Sequence, residues 1–407
     1  MHSTDIINLE DLKESNLALV LRNICTTKDC SRVSLAHSTG LKQATITKIV
    51  NKLIAWDIVR EDTALSSVSV GRKPIRLIIN GEKYFVIAVR LERNNILLAV
   101  MDIAGSVHYQ TRAIIERHSE TYSVIEKLKS MIRSAIENMP VTPMAIGLAV
   151  PGPINRTKSR IMLMSTFPGW EHVDIKAELT EAFKLPVLIN HNANCGALAE
   201  QWYGDYHTYS NILYVLCDRG VGSGLILNGN IYYGAQGFAG EIGHMSINKY
   251  GPICECGNRG CLELYDSTFA LENEYKRNAA ESFPKDYPDE LYLPAEDILA
   301  RVRNNSDDAA IKSYERIVAN LGFGIVGIVN VINPDLIIFA DRIIEGGERF
   351  LKVMDRTLKT YLLSDVYENL KITTSTLQYD SSLIGAGVFA FEYILQTPST
   401  YFMSVEE

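Results

Sequence analysis

The sequence predicts a small winged helix-turn-helix head followed by a two-lobed α/β body, and three observations carry that prediction. Apolar residues recur at three- and four-residue spacing through the first 56 positions and then switch to short alternating runs. From Tyr84 onward, strand-like apolar runs alternate with helical stretches. The length of 407 residues exceeds what one core holds, since cores stop growing near roughly 250–300 residues.

In the head, residues 16–25 (NLALVLRNIC), 31–38 (SRVSLAHS) and 42–56 (KQATITKIVNKLIAW) read as three helices, with apolar stripes through Leu17, Val20, Leu21 and Ile24, then Ile46, Ile49, Val50 and Leu53. Thr39-Gly40 supplies the sharp break between the second and third. Ile58-Val59-Arg60 and the run Ile75 to Ile79 flank the polar stretch TALSSVSVGRKP and read as two strands around a wing. The outward face of the third helix carries Lys42, Gln43, Thr45, Thr47, Lys48, Asn51 and Lys52 and no acid. Such a face suits the DNA major groove, where amides and hydroxyls reach base edges and lysines meet phosphates. A merely solvated helix face has a similar composition. Arg72 and Lys73, on the stiff GRKP turn, favour the DNA reading by offering a minor-groove or phosphate contact.

Net charge tests that reading. The chain carries −8 in all, which by itself argues against a nucleic-acid partner, but residues 1–80 hold eleven Lys and Arg against eight Asp and Glu. The head is therefore +3, and the remaining 327 residues are −11. The start, MHSTDIINLEDLKES, lacks the basic and apolar regions of a signal peptide. The longest apolar candidate, LGFGIVGIVNVI at 321–332, is short of a membrane span and contains Asn330. A soluble cytoplasmic protein is expected. Seven irregularly spaced cysteines disfavour a disulfide framework.

Within the body, Gly220-Val221-Gly222-Ser223-Gly224 reads either as a loop whose backbone N–H groups approach a ligand or as a tight hairpin. Downstream, His244 is followed by Cys254, Cys256 and Cys261, with glycines between the thiols. One His and three Cys meet the tetrahedral requirement of a structural zinc, and with four protein ligands no position is left for a reacting water. Glu241 and Glu263 flank this loop, placed either to bind sugar hydroxyls or as ordinary surface acids.

Taken together, GRKP at 71–74, PGP at 151–153, FPGW at 167–170, HNANCGALAE at 191–200, GVGSG at 220–224, GEIGH at 240–244, CECGNRGCLE at 254–263 and NPDLIIF at 333–339 resemble the ROK family of repressors, open reading frames and sugar kinases. The resemblance covers nearly the whole chain; the zinc motif is specific to the family, and the DNA-binding head points to its repressor branch, typified by xylose and N-acetylglucosamine repressors. It implies an actin-like, hexokinase-like body that closes over sugar. The head would span residues 1–80, the first lobe 81–190, and the second lobe 191–407, with the C-terminal helix returning to the first. It also implies sugar contacts from Thr166, His191, Asn192, Glu241, His244 and Glu263, with His244 both a zinc ligand and a neighbour of the sugar.

Four departures from the family kinases are expected to abolish phosphoryl transfer. Where the kinases hold a Gly-Gly-Thr phosphate turn, this chain has Arg90-Leu91-Glu92-Arg93-Asn94. Where they hold an Asn-Asp pair whose Asp is the base, it has His191-Asn192, and an amide takes no proton. Asp218-Arg219 replaces a Gly-Thr, and Phe339-Ala340-Asp341 replaces a Gly-Gly. The leading expectation is a non-enzymatic, sugar-responsive repressor that binds operator DNA as a homodimer or homotetramer. An ATP-dependent sugar kinase is the alternative, and a metal-responsive regulator a third class.

Overall fold

The structure is a computed structural model, and it describes residues 9–402 apart from 28, 63–74, 93, 117–118, 140, 153, 156–159, 162–169, 171–172, 207 and 283–291. Arg72, Lys73 and Thr166 therefore lie outside the described residues.

The chain opens with α1 (Leu9–Thr26), β1 (Cys30–Ser31), α2 (Arg32–Thr39), α3 (Gln43–Ala55), β2 (Val59–Asp62) and β3 (Arg76–Ile79). Helix α2 starts on Ser31, whose hydroxyl accepts the Ser34 N–H, and stops at Gly40, whose φ of +70° closes the helix end at no Cβ cost. The stripe Ile46, Val50 and Leu53 of α3 is buried, as the periodicity requires. The three strands form a small antiparallel sheet in the order β1-β3-β2. Strand β1, two residues long, carried no sequence signal.

A first five-stranded sheet uses β4 (Phe85–Leu91), β5 (Asn95–Asp102), β6 (Val107–Ile114), β7 (Ile146–Val150) and β10 (Val187–His191), in the order β10-β7-β4-β5-β6. Between them come α4 (Thr121–Glu137), the short pair β8 (Ile154–Asn155) and β9 (Arg160–Ile161), and α5 (Ile175–Phe183). Helix α6 (Asn192–Tyr203) leads to a second sheet of β11 (Ile212–Cys217), β12 (Val221–Leu227), β13 (Asn230–Ile231), β14 (Leu336–Ala340) and β15 (Lys371–Thr374). Its order is β13-β12-β11-β14-β15. In both sheets three antiparallel strands continue into two parallel ones, so the two halves of the body repeat one plan.

Helices α7 (Glu263–Asp266), α8 (Thr268–Ser282), α9 (Ala295–Arg303), α10 (Asp308–Ile332), α11 (Glu348–Tyr361) and α12 (Ser364–Asn369) belong to the second half, and α13 (Ser381–Ile394) and α14 (Pro398–Phe402) end the fold. By length and composition α10 could cross a bilayer. Here Leu321, Ile325 and Val329 are fully buried in the core shared by the second sheet, α9 and α11, and that burial accounts for its apolar composition.

One core joins head to body: Leu21, Val50 and Trp56 of the head, Ala88 and Met101 of the first sheet, Leu198 and Trp202 of α6, and Leu383, Phe391 and Phe402 of the C-terminal helices. Helix α6 faces both sheets, since Ala193 and Ala197 belong to a separate cluster with Tyr214 and Ile338.

Candidate functional site

A cleft of about 440 Å³ opens where the two sheets face each other. It is lined at one end by His191, Asn192, Glu241, His244 and Glu263, and at the other by Arg90, Glu92, Asp218, Asp341 and Arg342. Five of the six residues expected to contact sugar thus meet in one place, from segments far apart in sequence.

At the first end, His191 closes β10 and Asn192 opens α6. Burial lowers the His191 pKa to about 4, so the imidazole is neutral at physiological pH. Asn192 lines the cleft and is 6% exposed, and its Oδ1 is buried without a hydrogen-bond partner. Glu241 precedes a tight turn over Ile242–His244, and burial, with a smaller contribution from Glu263, pushes its pKa up to about 7. The glycines of GVGSG divide: Gly220 lies in the tight turn of the β11–β12 hairpin, as one of the two readings expected, and the other two serve a different purpose. Gly222 and Gly224 lie within β12, where a Cβ on Gly224 would meet the Ala193 carbonyl oxygen at 2.4 Å. They let α6 approach the second sheet closely enough to bring His191 and Asn192 into the cleft.

The metal cluster adjoins this end. One ligand atom each from His244, Cys254, Cys256 and Cys261 lies within 4.8 Å of all the others. Cys256 and Cys261 Sγ are 3.7 Å apart, and Cys254 Sγ is 3.8 Å from His244 Nδ1. A tetrahedral zinc with Zn–S near 2.3 Å requires thiolates about 3.8 Å apart, so the donor set fits that ion. Glu263 Oε1 stands 3.3 Å from His244 Nδ1 and accepts a contact from Cys254 Sγ at 3.2 Å. This couples the cluster to the cleft wall.

The other end is filled by protein charge. Arg90, on β4 and 4% exposed, donates to Asp341 Oδ2 at 2.8 Å and to Asp380, and lies 3.4 Å from Glu92. Burial opposes the guanidinium charge, but these carboxylates outweigh it and raise its pKa. Asp341 adopts φ +71° and ψ −163°, a region almost reserved for glycine and costing about 1–3 kcal/mol in other residues. Burial, and next the Asp341 carboxylate, push Asp218 up to about 6. Sequence reading recognised the lost glycines here but missed the cluster, because its members stand up to 290 positions apart.

In the head, Lys42, Gln43, Thr47, Lys48 and Lys52 are exposed along α3 and Thr45 is half-buried. Lys42 precedes the helix without a side-chain cap. Lys52 is engaged within the molecule: its Nζ donates to Ser399 Oγ at 3.0 Å and lies 4.4 Å from the Trp56 ring centroid.

Two sheets of one plan, closing on a cleft beside a His-Cys₃ cluster, define the class, and the ROK family matches residues 86–392. The protein belongs to the ROK family. It is 29% identical over 394 residues to the xylose repressor of Bacillus subtilis, covering 96% of this chain and 98% of that protein. It is 28% identical over 392 residues to the DNA-binding transcriptional dual regulator NagC of Escherichia coli, covering 94% and 93%. Among solved structures, a ROK transcriptional regulator homologous to E. coli Mlc matches with TM-score 0.80 at 23% identity, covering 97% of this chain and all of that one. A ROK glucokinase from Streptomyces griseus, solved with glucose and AMPPNP, matches with TM-score 0.67 at 21% identity and covers 74% of this chain and 98% of its own. Both likenesses speak to the fold.

Proposed function

We propose that the protein is a cytoplasmic, sugar-responsive transcriptional repressor of carbohydrate-utilisation genes that binds operator DNA as a homodimer or homotetramer. Residues 1–80 are read as its winged helix-turn-helix head, 81–190 and 191–407 as the two lobes that sense the ligand. The observation that carries this reading is the buried Arg90 cluster. It occupies the end of the cleft where a kinase would need room and backbone donors for phosphates, while the opposite end keeps Glu241, His244 and Glu263. Repressor relatives matching along almost their full lengths support it.

On this reading α3 lies in the major groove with Gln43, Thr45 and Thr47 toward bases and Lys42 and Lys48 toward phosphates, Lys52 joining them only by leaving Ser399, and Arg72 and Lys73 extend the contact from the wing. His244, Cys254, Cys256 and Cys261 would hold a zinc ion, whose contribution is to fix the loop carrying Glu241 and Glu263. The effector is an uncharged sugar. Eight carboxylates and three arginines line the described part of the cleft. Each arginine is already paired: Arg90 with Asp341, Arg219 with Glu272 at 2.8 Å, and Arg342 with Glu296 at 2.7 Å. The N-terminus of α6 adds only about half a positive charge, too little to hold a phosphate against that excess. Sugar hydroxyls would be taken by Glu241, Glu263, Asn192 and the neutral His191, with Thr166 completing the set.

Closure over sugar would alter the spacing of paired heads, and a coupling of about 1–3 kcal/mol changes operator affinity roughly 5–150-fold. The test is a gel-shift titration of the full chain against DNA upstream of its own operon, with and without a panel of sugars and their phosphates. A sequence-specific complex weakened by a neutral sugar is expected. Absence of any specific complex across salt concentrations sinks the reading.

A further inference from the structure

We infer that residues 380–402 form a lever that transmits the state of the cleft to the head, with Arg90 as its clamp. At the cleft, Asp380 caps α13 by accepting the Leu383 N–H at 2.7 Å, and its other carboxylate oxygen takes the Arg90 guanidinium. The same guanidinium holds Asp341, which directly follows β14 of the second sheet. One buried cation thus ties both sheets to the start of one helix.

From that anchor α13 runs across α6 in backbone contact: a Cβ on Gly385 would stand 1.7 Å from the Cys195 carbonyl oxygen. Helix α6 is the element that carries Asn192 into the cleft, so its displacement cannot leave α13 in place. At the far end Glu392 pairs with Arg22 of α1 at 3.0 Å. Just beyond, Phe402 packs on Trp56 and Tyr84 with ring centroids 6.4 and 4.8 Å away, and Tyr84 Oη donates to the Trp56 carbonyl at 2.7 Å. Ser399 receives Lys52 of α3 and donates its N–H to Glu14 of α1 at 3.1 Å. The head and lever therefore share one core.

The strained backbone of Asp341 points the same way. Glycine would relieve that conformation, and the carboxylate that takes its place is engaged by Arg90. The lever rests on the sensing role proposed above for its trigger, but the mechanical linkage can be tested without any sugar.

Hydrogen exchange by mass spectrometry on the zinc-loaded full chain compares wild type with Asp380→Asn. Asparagine caps a helix about as well as aspartate, so α13 keeps its start while the charge on Arg90 is withdrawn. Peptides from 43–56 and 395–402 are expected to exchange about threefold faster or more, while 348–361, on the far side of the second sheet, does not change. Faster exchange confined to residues near Arg90 and Asp380 overturns the lever, and so does uniform acceleration along the chain. Asp341→Gly, which removes the other carboxylate and relaxes the backbone, provides a second variant with the same expected pattern should the first not fold. If wild type binds no operator while the head still responds in exchange, the linkage stands and the regulatory reading falls. Specific operator binding with a head that does not respond in exchange removes the lever and leaves the regulatory reading in place.

Discussion

The two ends of the cleft have diverged in opposite ways. One end gathers polar groups beside the metal-binding loop: Asn192 Oδ1 without a partner, a neutral His191, and the carboxylates of Glu241 and Glu263, the latter in contact with His244 and Cys254. The other end has closed its polar groups on one another, with Arg90 holding Asp341 and Asp380. An unpaired buried acceptor is costly unless a ligand satisfies it, whereas a buried ion pair satisfies itself. One end thus leaves an acceptor unpaired, and the other turns most of its charge inward, with the Arg90 Nε as its own unpaired atom.

The largest effect is expected at the open end, from its metal. Removing zinc by chelation, or a ligand by Cys261→Ala, should release the loop from Gly240 to Glu263, because an apo cluster leaves three thiols and an imidazole without the ion that orders them. Metal analysis should give one zinc per chain in wild type and loss in the variant, with a melting temperature lower by about 10 °C or more. A protein that loses zinc, keeps its melting temperature and changes only its DNA affinity would turn the cluster from a brace into a sensor.

At the closed end Arg90→Met should cost about 3–5 kcal/mol, because the apolar side chain fills the space but leaves Asp341, Asp380 and Glu92 facing one another unpaired. Chemical denaturation reads this directly. Adding Asp341→Asn in the same chain returns the cluster to its native net charge and should recover part of the loss, since a buried pair replaced as a unit is nearly neutral in cost. Loss below about 1 kcal/mol would show that water already screens the cluster, and the distinction between the two ends would dissolve.

The open end was legible in the sequence because its chemistry is local. Cys254, Cys256, Cys261 and His244 fall within eighteen residues, and spacing alone suggests tetrahedral ligation. The head was legible through periodicity, with Ile46, Val50 and Leu53 on the buried face of α3. The closed end was not, because a salt bridge between residues 251 positions apart leaves no local pattern. The substitution of glycines by Arg90-Leu91-Glu92 read only as a lost function, and the structure shows the guanidinium at work in a new contact. Helices α8 and α9 also went unread. Their sequences, TFALENEYKRNAAES and AEDILARVR, are on average polar, and they are fixed by burying Leu271, Tyr275, Ile298 and Leu299 against α10. Gly220 took up the expected hairpin turn, but the role of Gly222 and Gly224 went unread for a related reason, since what they accommodate is the start of α6, brought in from another part of the chain.

The smallest effect is expected from Asn192→Asp, which restores to the open end the carboxylate that a family kinase uses as its base. If the two ends are independent, this change should confer phosphoryl transfer in proportion to the base it supplies, and general-base catalysis is worth about 10²–10⁴-fold. If the closed end controls, nothing is gained, because a base has no work without a phosphoryl donor. The Arg90 terminal nitrogens are taken up by Asp341 and Asp380, and Asp218 and Asp341 repel phosphates. We expect no ADP release above background in a coupled assay over neutral sugars, together with weakened sugar binding from an added charge beside Glu241 and Glu263. Measurable turnover by Asn192→Asp would mean that the closed end still admits a nucleotide. In that case Arg90 would have to leave its carboxylates to meet the phosphates, and the ion cluster would be a gate in place of a fixed strut.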